Sequence, residues 1–192
     1  MVYGRALVKA QQYLATSIPP YARVLIVGGG TGWVLEEIAK VYHSGLYITY
    51  IDSSPKMIAL AKKRNAVENM VTFIAAPIET IVADDVYDVY DVVFTPFLFD
   101  NFTDDSLRKI FSLIDKRLVK DGSWLYCDFQ NTDVFWQKAL LKVMYFFFRT
   151  ICGIAANELP DAVGCFASYG YQVKEQKTFM SNFVVSSIYK KV

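Results

Sequence analysis

The chain has 192 residues, enough for one domain with an ordinary core and too few for a cofactor domain plus a separate substrate domain. Twenty Lys and Arg against 19 Asp and Glu leave a net charge of +1, so no global field draws the protein to nucleic acid or an acidic polymer. Apolar residues at 54% against 20% charged argue against extensive disorder, and three cysteines without a CxxC beside the single His43 argue against a Cys/His zinc site. No metal is expected, and the cysteine usage fits a reducing, cytoplasmic setting.

Residues 1–20 carry Arg5, Lys9 and scattered polar groups, unlike the uninterrupted apolar run of a secretory leader. Val2, Tyr3, Ala6, Leu7, Ala10 and Leu14 recur at helical spacing and predict a leading helix that Pro19-Pro20 stops. The run Val24 to Val27 then meets Gly28-Gly29-Gly30-Thr31-Gly32, after which Val34, Leu35, Ile38, Val41 and Tyr42 repeat at three and four: strand, glycine loop, helix. A second strand, Leu46 to Ile51, ends at Asp52, and Ser54-Pro55 supplies the cap and first-turn proline of the next helix. Further strands are expected at Val71 to Ala75, Val89 to Thr95 and Ser123 to Phe129. Between the last two, Thr103 caps a helix striped by Leu107, Ile110, Phe111, Ile114 and Leu118, closed by the Asp121-Gly122 turn.

The remaining pattern predicts a long helix from Phe135 to Ile154, a shorter one from Leu159 to Tyr169, and a hairpin of Tyr171 to Lys177 with Phe183 to Tyr189. The greasiest window, Ala139 to Ala156, is interrupted by Lys142 and Arg149 and is too short for a membrane span. Strands alternating with helices in this way imply an α/β, doubly wound, Rossmann-like, mostly parallel sheet with a C-terminal antiparallel hairpin. The whole chain, 1–192, reads as a single domain, with residues 130–169 as a helical cover over the substrate. Ligands then belong at the carboxyl ends of the strands.

At the first strand-to-helix turn, missing side chains let a ligand approach the backbone. A dinucleotide fingerprint would want glycine at Trp33, and no Gly-Lys-Ser/Thr follows as a Walker loop requires. Asp52, ending the second strand, can accept both hydroxyls of a ribose and points to a nucleoside ligand. After the fourth strand, in Thr95-Pro96-Phe97-Leu98-Phe99-Asp100-Asn101-Phe102, Asp100 and Asn101 either position or deprotonate an acceptor hydroxyl or only turn the chain before Thr103. His43 falls toward the wrong end of the sheet for either task. The apolar stripe Trp136, Leu140, Val143, Met144, Phe147 and Ile151 reads as a buried amphipathic helix, or as a lid over a lipophilic acceptor in peripheral contact with a membrane.

Four ordered segments, Val24 to Gly32, Tyr50 to Met57, Tyr90 to Phe94 and Leu118 to Ser123, resemble the class I S-adenosylmethionine-dependent methyltransferases. The resemblance implies a seven-stranded sheet with S-adenosyl-L-methionine across the first two loops. Gly28, Gly29, Gly30 and Gly32 would then face the methionine portion, Asp52 the ribose, and Ser53 with Met57 the adenine. Pro77, Ile78 and Glu79 would line the adenine as well, and Thr95 and Phe97 would flank the sulfonium. The chain departs from the family pattern in having Ile26 and Pro77 where members usually carry acids, and Glu79 is the candidate substitute for the second. The implied activity is methyl transfer to a small, lipophilic acceptor, with nucleic acid an unlikely partner. The alternatives are a nucleoside-binding or partner-binding domain without turnover, and an aminopropyltransferase, whose glycine loop the GGGTG run also resembles.

Overall fold

A computed structural model of the chain describes residues 2–81, 89–132, 134–141, 143 and 158–191. Its strands are β1 (Arg23–Val27), β2 (Ser44–Asp52), β3 (Glu68–Ala75), β4 (Tyr90–Pro96), β5 (Leu118–Phe129), β6 (Tyr171–Phe179) and β7 (Val184–Lys191). They form one sheet in the order β3-β2-β1-β4-β5-β7-β6. The first five are parallel, and β7 pairs antiparallel with both β5 and β6. This is the expected doubly wound, Rossmann-like sheet with its antiparallel hairpin.

β1 reads as an uninterrupted apolar run because both of its faces are covered. Val24 and Ile26 point to one core cluster, whereas Leu25 and Val27 point to the other. The first cluster takes Ala10 and Leu14 from α1 (Val2–Ala15), Val34, Leu35 and Ile38 from α2 (Trp33–Val41), and Ile58 and Ala61 from α3 (Pro55–Ala61). The second takes Ile78 from the short α4 (Ile78–Ile81) and the whole stripe of α5 (Asp104–Asp115). Residues 135–141 form the start of α6, and α7 (Ala162–Ser168) lays Cys165 and Phe166 on the second face.

Local chemistry sets the helix starts. Ser54 Oγ accepts from Met57 N, Thr103 Oγ1 from Ser106 N, and Asp161 Oδ1 from Gly164 N. The leading helix is tied down by Ser186 Oγ donating to the Ala10 carbonyl at 3.0 Å. Several elements differ from expectation: β2 and β3 begin earlier, and the short α4 is not among the expected helices. β5 begins at Leu118, so the Asp121-Gly122 turn is an irregularity within the strand, with Asp121 at φ 67 and the register shifting between Tyr90 and Val92. α7 starts after Pro160, because the residue before a proline is kept out of the helical region and Asp161 supplies the cap. The hairpin strands run longer, and Met180, Ser181 and Asn182 take left-handed φ of 55, 52 and 65 to reverse the chain. Most of the expected Phe135 to Ile154 helix, with Cys152, lies outside the described residues. No helix among the described residues is long and apolar enough to cross a membrane.

The second face is an aromatic stack. Phe111 lies 4.5 Å from Trp124 and meets the Phe166 edge at 4.9 Å. Removing a fully buried ring leaves a cavity that its neighbours fill only in part. Phe111→Ala is expected to lower unfolding stability by about 3–5 kcal/mol in a urea titration, with an unchanged dependence on denaturant.

Candidate functional site

β1 lies between β2 and β4; the crossover out of β1 runs over one face through α2 and that out of β4 over the other through α5, which opens a crevice at the carboxyl ends of the three strands. The glycine loop rims it. Gly28 N donates to the Ile51 carbonyl at 2.8 Å, joining the loop to β2. Gly30 has φ 61, and a Cβ built there would meet nothing within 4 Å. This residue therefore presents bare backbone to open space, where a ligand can approach. On the outer side Arg64 Nε donates to the Thr31 carbonyl at 3.0 Å, its guanidinium lies 4.1 Å from the Trp33 ring, and Nη1 pairs with Glu36.

Asp52 closes the rim opposite. One carboxylate oxygen accepts from Gly30 N at 2.9 Å and the other from Ser54 N at 2.9 Å. A carboxylate has about four acceptor directions, so two stay free for a pair of hydroxyls. Ser53 is exposed and Met57 half-buried at the same edge. Beyond β3, Pro77 and Glu79 are exposed, whereas the Ile78 side chain turns down into the second core cluster.

The sequence missed Tyr50. This residue is fully buried on β2, beside Ile26 of β1, yet its hydroxyl donates to the Gly30 carbonyl at 3.1 Å. Burial, with Asp52 nearby, pushes its ionisation well above the usual phenol range, so the hydroxyl stays a donor. The available signal was a tyrosine two residues before Asp52, and hence on the same strand face. Ile26, where the resemblance calls for an acid, is fully buried in apolar packing.

At the end of β4 the Thr95 hydroxyl accepts from Trp124 Nε1 at 3.0 Å, so this side chain faces the core. Phe97 is half-buried at φ 53, a costly conformation for an aromatic residue, with its ring 5.2 Å from Phe129. The next turn (Phe99–Asn101) holds Asp100 and Asn101 together. Asn101 Nδ2 donates to Asp100 Oδ1 at 2.6 Å and to the carbonyls of Phe97 and Leu98.

The structure adds Asp128, almost fully buried at the end of β5. One of its oxygens accepts from Phe99 N and Asp100 N, the other from Phe129 N at 2.8 Å. Burial pushes Asp128 up to about 7, and burial together with Asp128 lifts Asp100 well above the usual carboxylate range. An acid next to last in the otherwise apolar run Trp124 to Phe129 was its only sequence signal.

Two hollows flank the crevice. One of about 570 Å³ is lined by Arg5, Val8, Lys9 and Gln12 of α1 and by Trp33, beside the end of the glycine loop. The other, of about 180 Å³, lies among Tyr126, Ser187, Tyr189 and the residues leading into α7. His43 stands between α2 and β2, at the opposite end of the sheet. Cys127 is buried in the first core cluster, and burial pushes its thiol up, as for a small apolar residue. Among the described residues no group of three His, Cys, Asp or Glu could hold a metal.

This strand order, with a glycine loop after β1 and an acid ending β2, defines the class I methyltransferase fold. Residues 24–122 match the model of a family described as a methyltransferase domain. The chain belongs to that family, the S-adenosylmethionine-dependent methyltransferases of class I. A malonyl-[acyl-carrier protein] O-methyltransferase of Bacillus cytotoxicus is 36% identical over 109 residues, which cover 57% of this chain and 36% of that relative. The match thus spans little more than a third of the curated relative's length. Among solved structures, magnesium protoporphyrin IX methyltransferase from Synechocystis PCC 6803 with bound SAH gives a TM-score of 0.69 at 13% identity, covering 99% of this chain and 83% of that one. The mitomycin 7-O-methyltransferase MmcR gives 0.68 at 14% identity, covering 98% and 54%. At such identities these two speak for the fold alone.

The buried carboxyl pair makes stability depend on pH. Ordinary carboxyls in the unfolded chain lose their protons near pH 4, whereas folded Asp128 keeps its proton to about pH 7 and Asp100 is raised beside it. The contribution is fully present below pH 4 and falls as pH rises through the folded value. Urea midpoints are therefore expected to drop between about pH 5 and about pH 8, and Asp128→Asn, which keeps an acceptor for Phe99 N and Asp100 N, is expected to flatten that slope.

Proposed function

We propose that the protein transfers a methyl group from S-adenosyl-L-methionine to an oxygen of an acyl or similarly apolar acceptor. The observation that carries the cofactor half is Gly30: it is bare on the crevice side and held by Asp52, whose carboxylate keeps two acceptor directions open. In this reading Asp52 binds the ribose hydroxyls. Ser53, Met57, Pro77 and Glu79 frame the adenine, Ile78 supporting them from the core side. Gly28, Gly29, Gly30 and Gly32 border the methionine portion, and Phe97 offers a ring to the sulfonium, with the Thr95 backbone behind it. Bound there, the cofactor supplies a methyl on a sulfonium that is already a good leaving group, so alignment of the acceptor carries much of the rate.

Asp100 is assigned to orienting the acceptor and Asn101 to holding Asp100 through the 2.6 Å bond. The hollow beside Trp33 receives the acceptor. Arg5 and Lys9, one helical turn apart on its wall, suit an acceptor that carries a carboxylate or is delivered by an acidic carrier. The relative named as acting on malonyl-[acyl-carrier protein] supports an oxygen acceptor of this kind. The segment 130–169 is assigned the role of cover within a single domain.

One observation favours a second reading, nucleoside binding without turnover: the Asn101 amide is spent on the turn and Asp100 is buried beside a second carboxyl. Calorimetric titration of S-adenosylmethionine and S-adenosylhomocysteine separates the cofactor assignment from the acceptor question. Saturable binding is expected, weakened at least about tenfold in Asp52→Ala, since two charge-assisted hydrogen bonds are lost. Absence of binding by the folded wild type overturns the reading. Label transfer from methyl-labelled cofactor to a malonyl thioester on carrier protein is expected to give a base-labile methyl ester, and binding without transfer to any carboxylate or hydroxyl acceptor favours the second reading.

A further inference from the structure

Gly29 differs from its neighbours in the loop. Gly28, Gly30 and Gly32 have left-handed φ of 70, 61 and 85, but Gly29 is not among the positive-φ glycines. Backbone conformation therefore does not demand glycine at position 29. Space does: a Cβ there would lie 2.3 Å from Cζ and Oη of Tyr50 and 2.5 Å from Cε2. The ring of Tyr50 occupies the volume that a side chain at 29 would take.

The same ring reaches Gly30. Tyr50 and Asp52 are two apart on β2 and so project from one face. Together they hold both polar groups of a single residue, Asp52 accepting from Gly30 N at 2.9 Å and Tyr50 Oη donating to the Gly30 carbonyl at 3.1 Å. That carbonyl is thereby turned toward the strand. Aimed outward, it would repel a carboxylate approaching the loop.

We propose that Tyr50 is a positioning residue for cofactor binding: its ring replaces the side chain at 29, and its hydroxyl holds the Gly30 carbonyl inward so that the outer face of the loop accepts an anionic group. The apolar Ile26 beneath offers the loop no polar group, and Tyr50 on the adjacent strand supplies one. The inference rests on the loop being the cofactor site.

The test is a double-substitution cycle read in two ways, by calorimetry with S-adenosylhomocysteine and by thermal unfolding without ligand. Y50F keeps the ring and loses the hydroxyl; affinity is expected to fall about five- to tenfold, while its unfolding midpoint stays near that of the wild type. G29A is expected to weaken binding more than about tenfold in the wild-type background but less than about threefold beside Y50L, where the distal ring is gone. Unfolding midpoints should show the same coupling between the two positions. A wild type that binds, with Y50F binding equally well or G29A costing the same in both backgrounds, overturns the proposal and leaves the cofactor reading standing. A wild type that does not bind overturns the cofactor reading and with it any role of Tyr50 in binding. The ligand-free cycle still decides in that case whether ring and loop share the space.

Discussion

A parallel strand flanked on both sides and covered on both faces is open only at its ends, and β1 is such a strand. Its backbone is spent on pairing with β2 and β4, and its side chains are divided between two core clusters. The chain leaving it must turn at once into a helix, so glycines gather where backbone is exposed. Asp52 and Tyr50 come from the neighbouring strand because parallel pairing places Tyr50 beside Ile26 and Ile51 beside Val27, just short of the loop. The site follows from sheet pairing, and the polar contacts refine it.

At the next opening, between β4 and β5, the solution is electrostatic rather than steric. Asp128 caps three backbone N–H groups in a place with little water, which stabilises the turn carrying Asp100 but leaves two carboxyls close together. Low solvation favours the protonated form, so charge on this side of the crevice depends on pH near neutrality. The strained Phe97 lies just before that turn, where its φ of 53 is held by the 2.7 Å bond from its N–H to the Cys127 carbonyl. Two neighbouring openings of one sheet are thus built by different means, one with hydroxyl and amide bonds to glycine, the other with buried acids.

The family match, residues 24–122, runs from β1 into the start of β5 and contains the glycine loop, Asp52 and Asp100 but not Asp128. The hairpin, α1 and α7 lie outside it. Those elements complete the two core clusters, α1 through the Ser186 bond to Ala10 and α7 through the stack of Phe166 on Tyr189 at 3.7 Å. Both hollows beside the crevice also lie against them.

The sequence by itself determined the fold class, the strands and the helices other than the short α4, the glycine loop and the acid that ends β2. All of these are written in local periodicity, in turn residues and in the spacing of apolar runs, which depend on near neighbours along the chain. Asn101 could be read as a turn or as a catalytic group, and in the structure its amide makes three bonds to nearby acceptors within the turn. Only the tertiary structure decided that Thr95 faces Trp124, that Asp128 sits beside Asp100, and that Tyr50 reaches across to Gly29 and Gly30. Each is a contact between segments distant along the chain, set by strand register and by which face a side chain takes, and a shift of one residue would reverse it.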